Sequence, residues 1–164
     1  MTLKEQFLDG MSRAAASVSV VTSDGPAGRA GATVSAMTSV SADGNRPTML
    51  VCLNASSKTL PVLLENACFA INVLSVGQQH VADVFSGRTE TVEADRFTAV
   101  TTLSGSTGAP ILTDALVSFD CKLVSADRIG THHICIGAVE AVHAGAEGSP
   151  LLYGMRRYLR TEHP

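Results

Sequence analysis

Several stretches of this chain carry side chains that could do chemistry. Between positions 33 and 40, Thr33, Ser35, Met37 and Ser39 alternate with Val34, Ala36, Thr38 and Val40. That is the period of a β-strand, and it predicts one face made mostly of hydroxyls. Hydroxyls both donate and accept, which suits a ring edge bearing carbonyl oxygens and ring nitrogens; an exposed strand face rich in Ser and Thr would show the same pattern. Further on, Asn54, Ala55, Ser56, Ser57, Lys58 and Thr59 join an apolar run to a helix start. Unpaired backbone N–H groups there, with hydroxyls and a lysine, suit a phosphate, although ordinary capping by Ser57 or Thr59 accounts for the same residues.

His132 and His133 stand at the start of a strand, where neighbouring side chains point to opposite faces. Only one of them can serve a given site, and no third ligand lies at a spacing that would complete a metal centre. A lone strand histidine is more often an ordinary surface or core residue than a catalytic one, and Arg156 and Arg157 invite a phosphate reading although a short cationic pair is usually solvated surface. Gly25, Gly28 and Gly31 form GxxGxxG ahead of a strand. A dinucleotide fingerprint is GxGxxG opening a helix, so any nicotinamide nucleotide must be held some other way. Hydrolase, zinc-protease and P-loop motifs are absent from the sequence.

The elements that must position these residues follow from periodicity. Leu3, Phe7, Leu8 and Met11 recur at helical spacing, and residues 18–22 then turn β-branched ahead of an Asp24-Gly25-Pro26 turn. Residues 48–53 and 67–74 read as buried strands, with a helix beginning near Thr59 and another over 78–85 that ends at Ser86-Gly87. Gly105, Gly108 and Pro110 mark a loop; two long strands over 115–126 and 132–143 flank a turn at Gly130, and residues 151–158 return as a short strand or arm. Strands outnumber helices without βαβ alternation, which predicts an antiparallel barrel.

With 164 residues, 45% of them hydrophobic, the chain has the length and apolar content of one domain over 1–164. A net charge of -3 with 16% charged residues offers no field for nucleic acid. No apolar run reaches bilayer-spanning length and the N-terminal stretch reads as an amphipathic helix, so a cytoplasmic protein is expected. The four cysteines lie in apolar stretches without CxxC spacing and are expected to be buried free thiols.

Taken together, the segments GRAGATVSAMTSVSAD, MLVCLNASSKT, FAINVLS, VFSGRTE, GAPIL, LVSFDCKLVSADRIGTHHICIGAV and PLLYGMRRY resemble, in order and over nearly the whole chain, the flavin reductase-like family. These are short flavin:NAD(P)H reductases that supply two-component flavin monooxygenases. The resemblance implies a mainly β, split β-barrel (FMN-binding) fold with a few short helices, a homodimer, and hydride transfer from NADH or NADPH to N5 of FMN or FAD. It implies that the strand over residues 33–40 lies along the flavin ring. Asn54, Ala55, Ser56, Ser57, Lys58 and Thr59 would then cradle the ribityl phosphate, while Phe85, Ser86 and Gly87 border the outer cofactor or the dinucleotide. Gly130-Thr131-His132 matches the family's G-[DT]-H motif, which makes His132 the residue that meets the nicotinamide and turns His133 outward. Arg157 and Tyr158 match a late Arg-aromatic pair near the flavin, whereas Gly154 and Met155 replace an aromatic and a basic residue common in the family. Reduction of a bound acceptor such as a cobalt corrin, or non-catalytic flavin binding, are the other uses the same barrel would serve.

Overall fold

The computed structural model describes residues 1–88 and 95–162. The chain opens with helix α1 (Leu3–Arg13), whose start is fixed by a reciprocal cap: Thr2 Oγ1 accepts from the Glu5 amide at 3.2 Å and Glu5 Oε2 accepts from the Thr2 amide at 2.7 Å. There follow β1 (Ala16–Ser17), β2 (Ser19–Ser23), β3 (Ala30–Val34), β4 (Met37–Ser41) and β5 (Thr48–Asn54). Helix α2 (Thr59–Asn66), β6 (Cys68–Val73) and helix α3 (Gln79–Ser86) come next. The chain then forms β7 (Thr102–Ser104), β8 (Pro110–Leu112), β9 (Val117–Ile129), β10 (His132–Ala144), β11 (Leu152–Gly154) and β12 (Arg157–Leu159).

Seven strands form one antiparallel sheet in the order β3-β2-β6-β9-β10-β5-β4. β3 and β4 are consecutive in the chain yet occupy opposite edges, so the sheet must curl to bring its edges together. The Cys52 amide donates to the Ala36 carbonyl at 3.0 Å, which extends the β4–β5 ladder back into the bend between β3 and β4. The single strand expected over residues 33–40 is therefore two strands, broken by a bend at Ser35 and Ala36. Its first half pairs with β2 and its second with β5, and side-chain alternation cannot register a change of partner. The shared hydroxyl face is lost with it: Met37 packs against the barrel core, and Thr38, Ser39 and Val40 are exposed.

Val21, Val51, Leu53, Phe69, Ile71, Cys121 and Cys135 fill the barrel together with Leu60 and Leu63 of α2. Both faces of β2 are buried, because Val20 joins a second cluster with Val81, Val84 and Phe85 of α3. Gly137 of β10 makes room inside the barrel: an added Cβ would stand 2.5 Å from Phe69 Cζ and 2.7 Å from Cys121 Cβ. The β7–β8 hairpin is held by two buried polar side chains. Asp120 accepts from the Thr107 amide at 3.0 Å and from its hydroxyl, and Asn72 accepts from the Leu112 amide at 2.9 Å. Cys68, Cys121 and Cys135 are buried free thiols as expected, whereas Cys52 is only half-buried.

Candidate active site

Where β3 bends towards β4, a cleft of about 540 Å³ opens beside the end of β5. One wall is Ala32, Thr33, Val34, Ser35 and Ala36; the opposite wall is Cys52, Leu53, Asn54, Ser56, Ser57 and Lys58, with Phe85, Ser86, Arg96 and His132 completing it. Its size falls in the range of small-molecule and cofactor sites. β3 is an edge strand, so alternate backbone groups on its outer side have no sheet partner and are open to a ligand. Thr33 turns its own hydroxyl inward, donating to the Ala82 carbonyl at 2.7 Å, which ties this wall to α3.

The 54–59 loop is rigid by construction. Asn54 Oδ1 accepts from the Ser56 amide at 2.9 Å and from its hydroxyl at 2.8 Å, and the Ala55 amide donates to the Thr131 carbonyl at 2.8 Å. The N-cap of α2 is Lys58, without a side-chain cap, so neither Ser57 nor Thr59 caps the helix as expected; Ser57 Oγ accepts from the Thr59 amide at 3.2 Å in a local turn, and its O–H proton is still available to a ligand. Lys58, at the head of α2, is exposed beside the cleft, while the Thr59 side chain is buried beneath it.

Pairing of β10 with β5 sets His132 opposite Asn54, which brings the imidazole to the cleft; its Nδ1 lies 3.0 Å from Thr131 Oγ1. His133 lies on the other face and, instead of turning to solvent, is half-buried with its Nδ1 lacking a hydrogen-bond partner. Phe85 and Ser86 end α3, and Gly87 caps it at φ 73°, a left-handed turn that glycine makes without strain. Thr89 and Glu90, the end of the VFSGRTE motif, lie outside the described residues.

A smaller hollow of about 150 Å³ adjoins the cleft, sharing Thr33, Val34, Ser35 and Ser86 with it and adding Arg88, Tyr153 and Tyr158. The two tyrosines meet edge to face at 5.5 Å, and the Arg88 guanidinium lies 5.5 Å above the Tyr153 ring. Tyr158 donates to Asp83 Oδ1 at 2.7 Å. Burial first, then the bond to Asp83 and its charge, push the Tyr158 phenol up to about 12, so it stays a donor across the physiological range. Arg157 is exposed and lines neither space, and Met37, Thr38, Ser39, Val40 and Gly87 are likewise outside both linings.

Sequence reasoning missed Ala32, Cys52, Leu53 and Arg96 of the cleft, and Arg96 is the charged one among them. Its Nη1 donates to the carbonyls of Gly31 at 3.1 Å and Phe85 at 2.9 Å, clamping β3 to the end of α3. Gly31 permits the approach, since a Cβ there would meet Phe85 Cε1 at 2.7 Å. The local signal is thin: a cation between Asp95, which caps the following 3₁₀ turn by accepting from the Phe97 amide at 3.0 Å, and the buried Phe97. Among the described residues no group of His, Cys, Asp and Glu could hold a metal ion.

Residues 11–162 match the family model described as flavin reductase like domain. An FMN reductase (NADH) RutF of Methylorubrum extorquens is 46% identical over 152 residues, covering 93% of this chain and 72% of the relative. Among solved structures, the flavin reductase PheA2 in its native state superposes with a TM-score of 0.87 at 28% identity, covering 99% of this chain and 100% of that one. BorF, the flavin reductase component of a bacterial two-component tryptophan halogenase, superposes with a TM-score of 0.85 at 28% identity and covers 98% of this chain and 99% of its own.

Proposed function

The chain belongs to the flavin reductase-like family, and from that premise we propose that its cleft carries out NADH-dependent flavin reduction and that the reduced flavin leaves for a flavin-dependent partner enzyme. The enzyme is an oxidoreductase acting on NADH and flavin. The observation that carries the site assignment is the convergence, around one cleft, of the 32–36 edge, the Ser56–Ser57–Lys58 loop and His132.

These residues fit a flavin mononucleotide. Lys58 and the Ser57 hydroxyl offer a cation and a donor to the phosphate, and small Ala32 and Ala36 leave space for a flat ring against unpaired backbone. When bound, the flavin supplies N5 as acceptor for the hydride of the reduced nicotinamide. The protein's part is to hold two rings in register and to keep the angle between them. His132 does this from the rim: with Nδ1 engaged by Thr131, Nε2 is the atom left to meet the nicotinamide nucleotide. Replacing His132 by Ala is expected to raise the KM for NADH or slow flavin reduction by about tenfold while FMN affinity stays nearly intact. Unchanged kinetics would remove His132 from the site.

Cys52 offers a chemical probe of the same cleft. Burial raises its thiol above the ordinary value, and burial drives Cys121 and Cys135 further, to about 12 and about 11. Alkylation of Cys52 is therefore slow near neutral pH and, as the pH rises, is expected to precede that of the more deeply buried Cys121 and Cys135. Saturating FMN should slow that modification by about tenfold, read by mass spectrometry. Indifference to FMN would place the flavin elsewhere.

The working unit proposed is a homodimer. Leu3, Phe7, Leu8 and Met11 of α1 are 82%, 63%, 53% and 54% exposed, an apolar stripe left uncovered by the described residues of the single chain. Leu8 and Met11 line a largely apolar hollow of about 520 Å³ that also includes Ser35 and Ala36 of the cleft, so a second copy seated there would help wall the flavin site. Light scattering should return twice 17.0 kDa, and Phe7→Asp should shift the population towards monomer. No helix among the described residues is long and apolar enough to cross a membrane. Soluble nucleotide substrates favour the cytoplasm as its place of work.

A further inference from the structure

The contacts assigned to flavin above leave one cation beside the cleft without a task. The hollow of about 150 Å³ that shares Thr33, Val34, Ser35 and Ser86 with the cleft has a single charged residue in its lining, Arg88. Its backbone is fixed by the end of α3: Gly87 turns the chain at φ 73°, and the Arg88 amide donates back to the Asp83 carbonyl at 3.1 Å. Its guanidinium stands 5.5 Å from the centre of the Tyr153 ring. Hydrogen bonding to Tyr153 raises that guanidinium above its ordinary value, against the opposing effect of burial, so it is a cation at any working pH. Among the described residues Arg88 forms no ion pair. Asp83, whose carboxylate charge reaches it, already accepts from the Tyr158 hydroxyl at 2.7 Å. A positive charge is thus held at the ring wall of the cleft with little to balance it.

Flavin reduction creates the matching charge. Hydride transfer breaks a C–H bond at nicotinamide C4 and forms an N–H bond at flavin N5; the electron pair travels with the hydrogen, so the nicotinamide becomes a cation and the neutral flavin ring gains one negative charge. A fixed cation beside the ring favours that product over the reactant, and charge near the ring nitrogens is one of the means by which a protein tunes a flavin. Lys58 and Arg96 also border the cleft, but Lys58 faces the phosphate in the reading above and Arg96 is tied to the Gly31 and Phe85 carbonyls. We propose that Arg88 compensates the negative charge of the reduced flavin and thereby sets the potential at which the bound ring accepts hydride. The inference rests on the reading of the main cleft as the flavin site.

Arg88→Gln and Arg88→Lys test it through binding, apart from turnover. Each protein is titrated with oxidised FMN by fluorescence and with dithionite-reduced FMN by anaerobic equilibrium dialysis. An oxidised-FMN Kd within about twofold of wild type reports an intact fold and cleft. Against that control, Arg88→Gln is expected to weaken reduced-FMN binding by about tenfold, and Arg88→Lys, which keeps the charge, to restore most of the loss. A tenfold change in the ratio of the two affinities lowers the midpoint potential of the bound flavin by about 30 mV for a two-electron couple, which redox titration reads independently. A ratio that moves by less than about threefold overturns the proposal, as does an equal loss for both forms, which would give Arg88 a part in the shape of the site and none in its charge. Arg88→Lys as defective as Arg88→Gln overturns it too, because the charge would then not be what acts. Wild-type protein that binds neither form of FMN refutes the flavin reading itself, and the proposal with it.

Discussion

Lys58→Glu is expected to weaken FMN binding by about two orders of magnitude while leaving riboflavin binding within about threefold of the wild type. Lys58 precedes the first residue of α2 and borders the cleft, where helix dipole and ammonium charge would act together on the proposed phosphate. A charge-assisted contact to phosphate contributes roughly 1.5–3 kcal/mol, and a carboxylate in its place adds repulsion. Together these approach the ~3 kcal/mol that a hundredfold loss requires. Riboflavin carries the ring and ribityl chain without the phosphate, so it isolates the electrostatic part. Flavin fluorescence titration makes the comparison, and an equal loss for both ligands would mean that Lys58 shapes the cleft instead of binding phosphate.

The second large effect concerns stability. Asn72 is fully buried on β6 and uses its whole amide: Nδ2 donates to the Val20 carbonyl at 3.0 Å and to Thr22 Oγ1 at 3.1 Å, while Oδ1 accepts from the Leu112 amide at 2.9 Å and from Ser118 Oγ at 2.7 Å. Thr22 passes the network on to the Pro110 carbonyl at 2.5 Å. One side chain thereby joins β2, β6, β9 and the β7–β8 hairpin. Asn72→Ala leaves several of these buried groups unpaired at about 1 kcal/mol or more each, so a loss of about 4 kcal/mol is expected. For a chain of this size that corresponds to a fall in Tm of about 10 °C. Calorimetry that shows a fall of less than about 2 °C would mean that water or neighbouring groups replace the amide with ease.

Much of this architecture was legible in the residues. The paired runs around Gly130 became β9 and β10, with Gly130 at φ 60° in the turn between them, and Gly87 ends α3 where a helix-terminating glycine was expected. The 54–59 loop was legible because its residue types serve turns and anion binding at once; the structure shows the turn half in the Asn54 and Ser57 bonds, while the N-cap itself falls to Lys58. What escaped depends on contacts remote in sequence. Period-two alternation continues unbroken through Ser35 and Ala36, although the chain there leaves one sheet edge for the other. Arg96 escaped because a lone arginine carries no period; its role exists only once Gly31 and Phe85 are neighbours. The β11–β12 hairpin turns through Met155 at φ 51° and Arg156 at φ 59°, left-handed positions where Gly or Asn would have announced a turn. Tyr153 and Tyr158 were therefore not expected to face each other beside the cleft.

The central claim, that this one cleft passes hydride from NADH to flavin, is tested most directly by mixing the purified chain with NADH and FMN under anaerobic conditions and following both chromophores. The predicted result is catalytic loss of NADH matched by one reduced flavin per NADH, with the rate depressed in His132→Ala and the FMN dependence displaced in Lys58→Glu. Absence of NADH oxidation with FMN, FAD and riboflavin alike, and with NADPH in place of NADH, would contradict it.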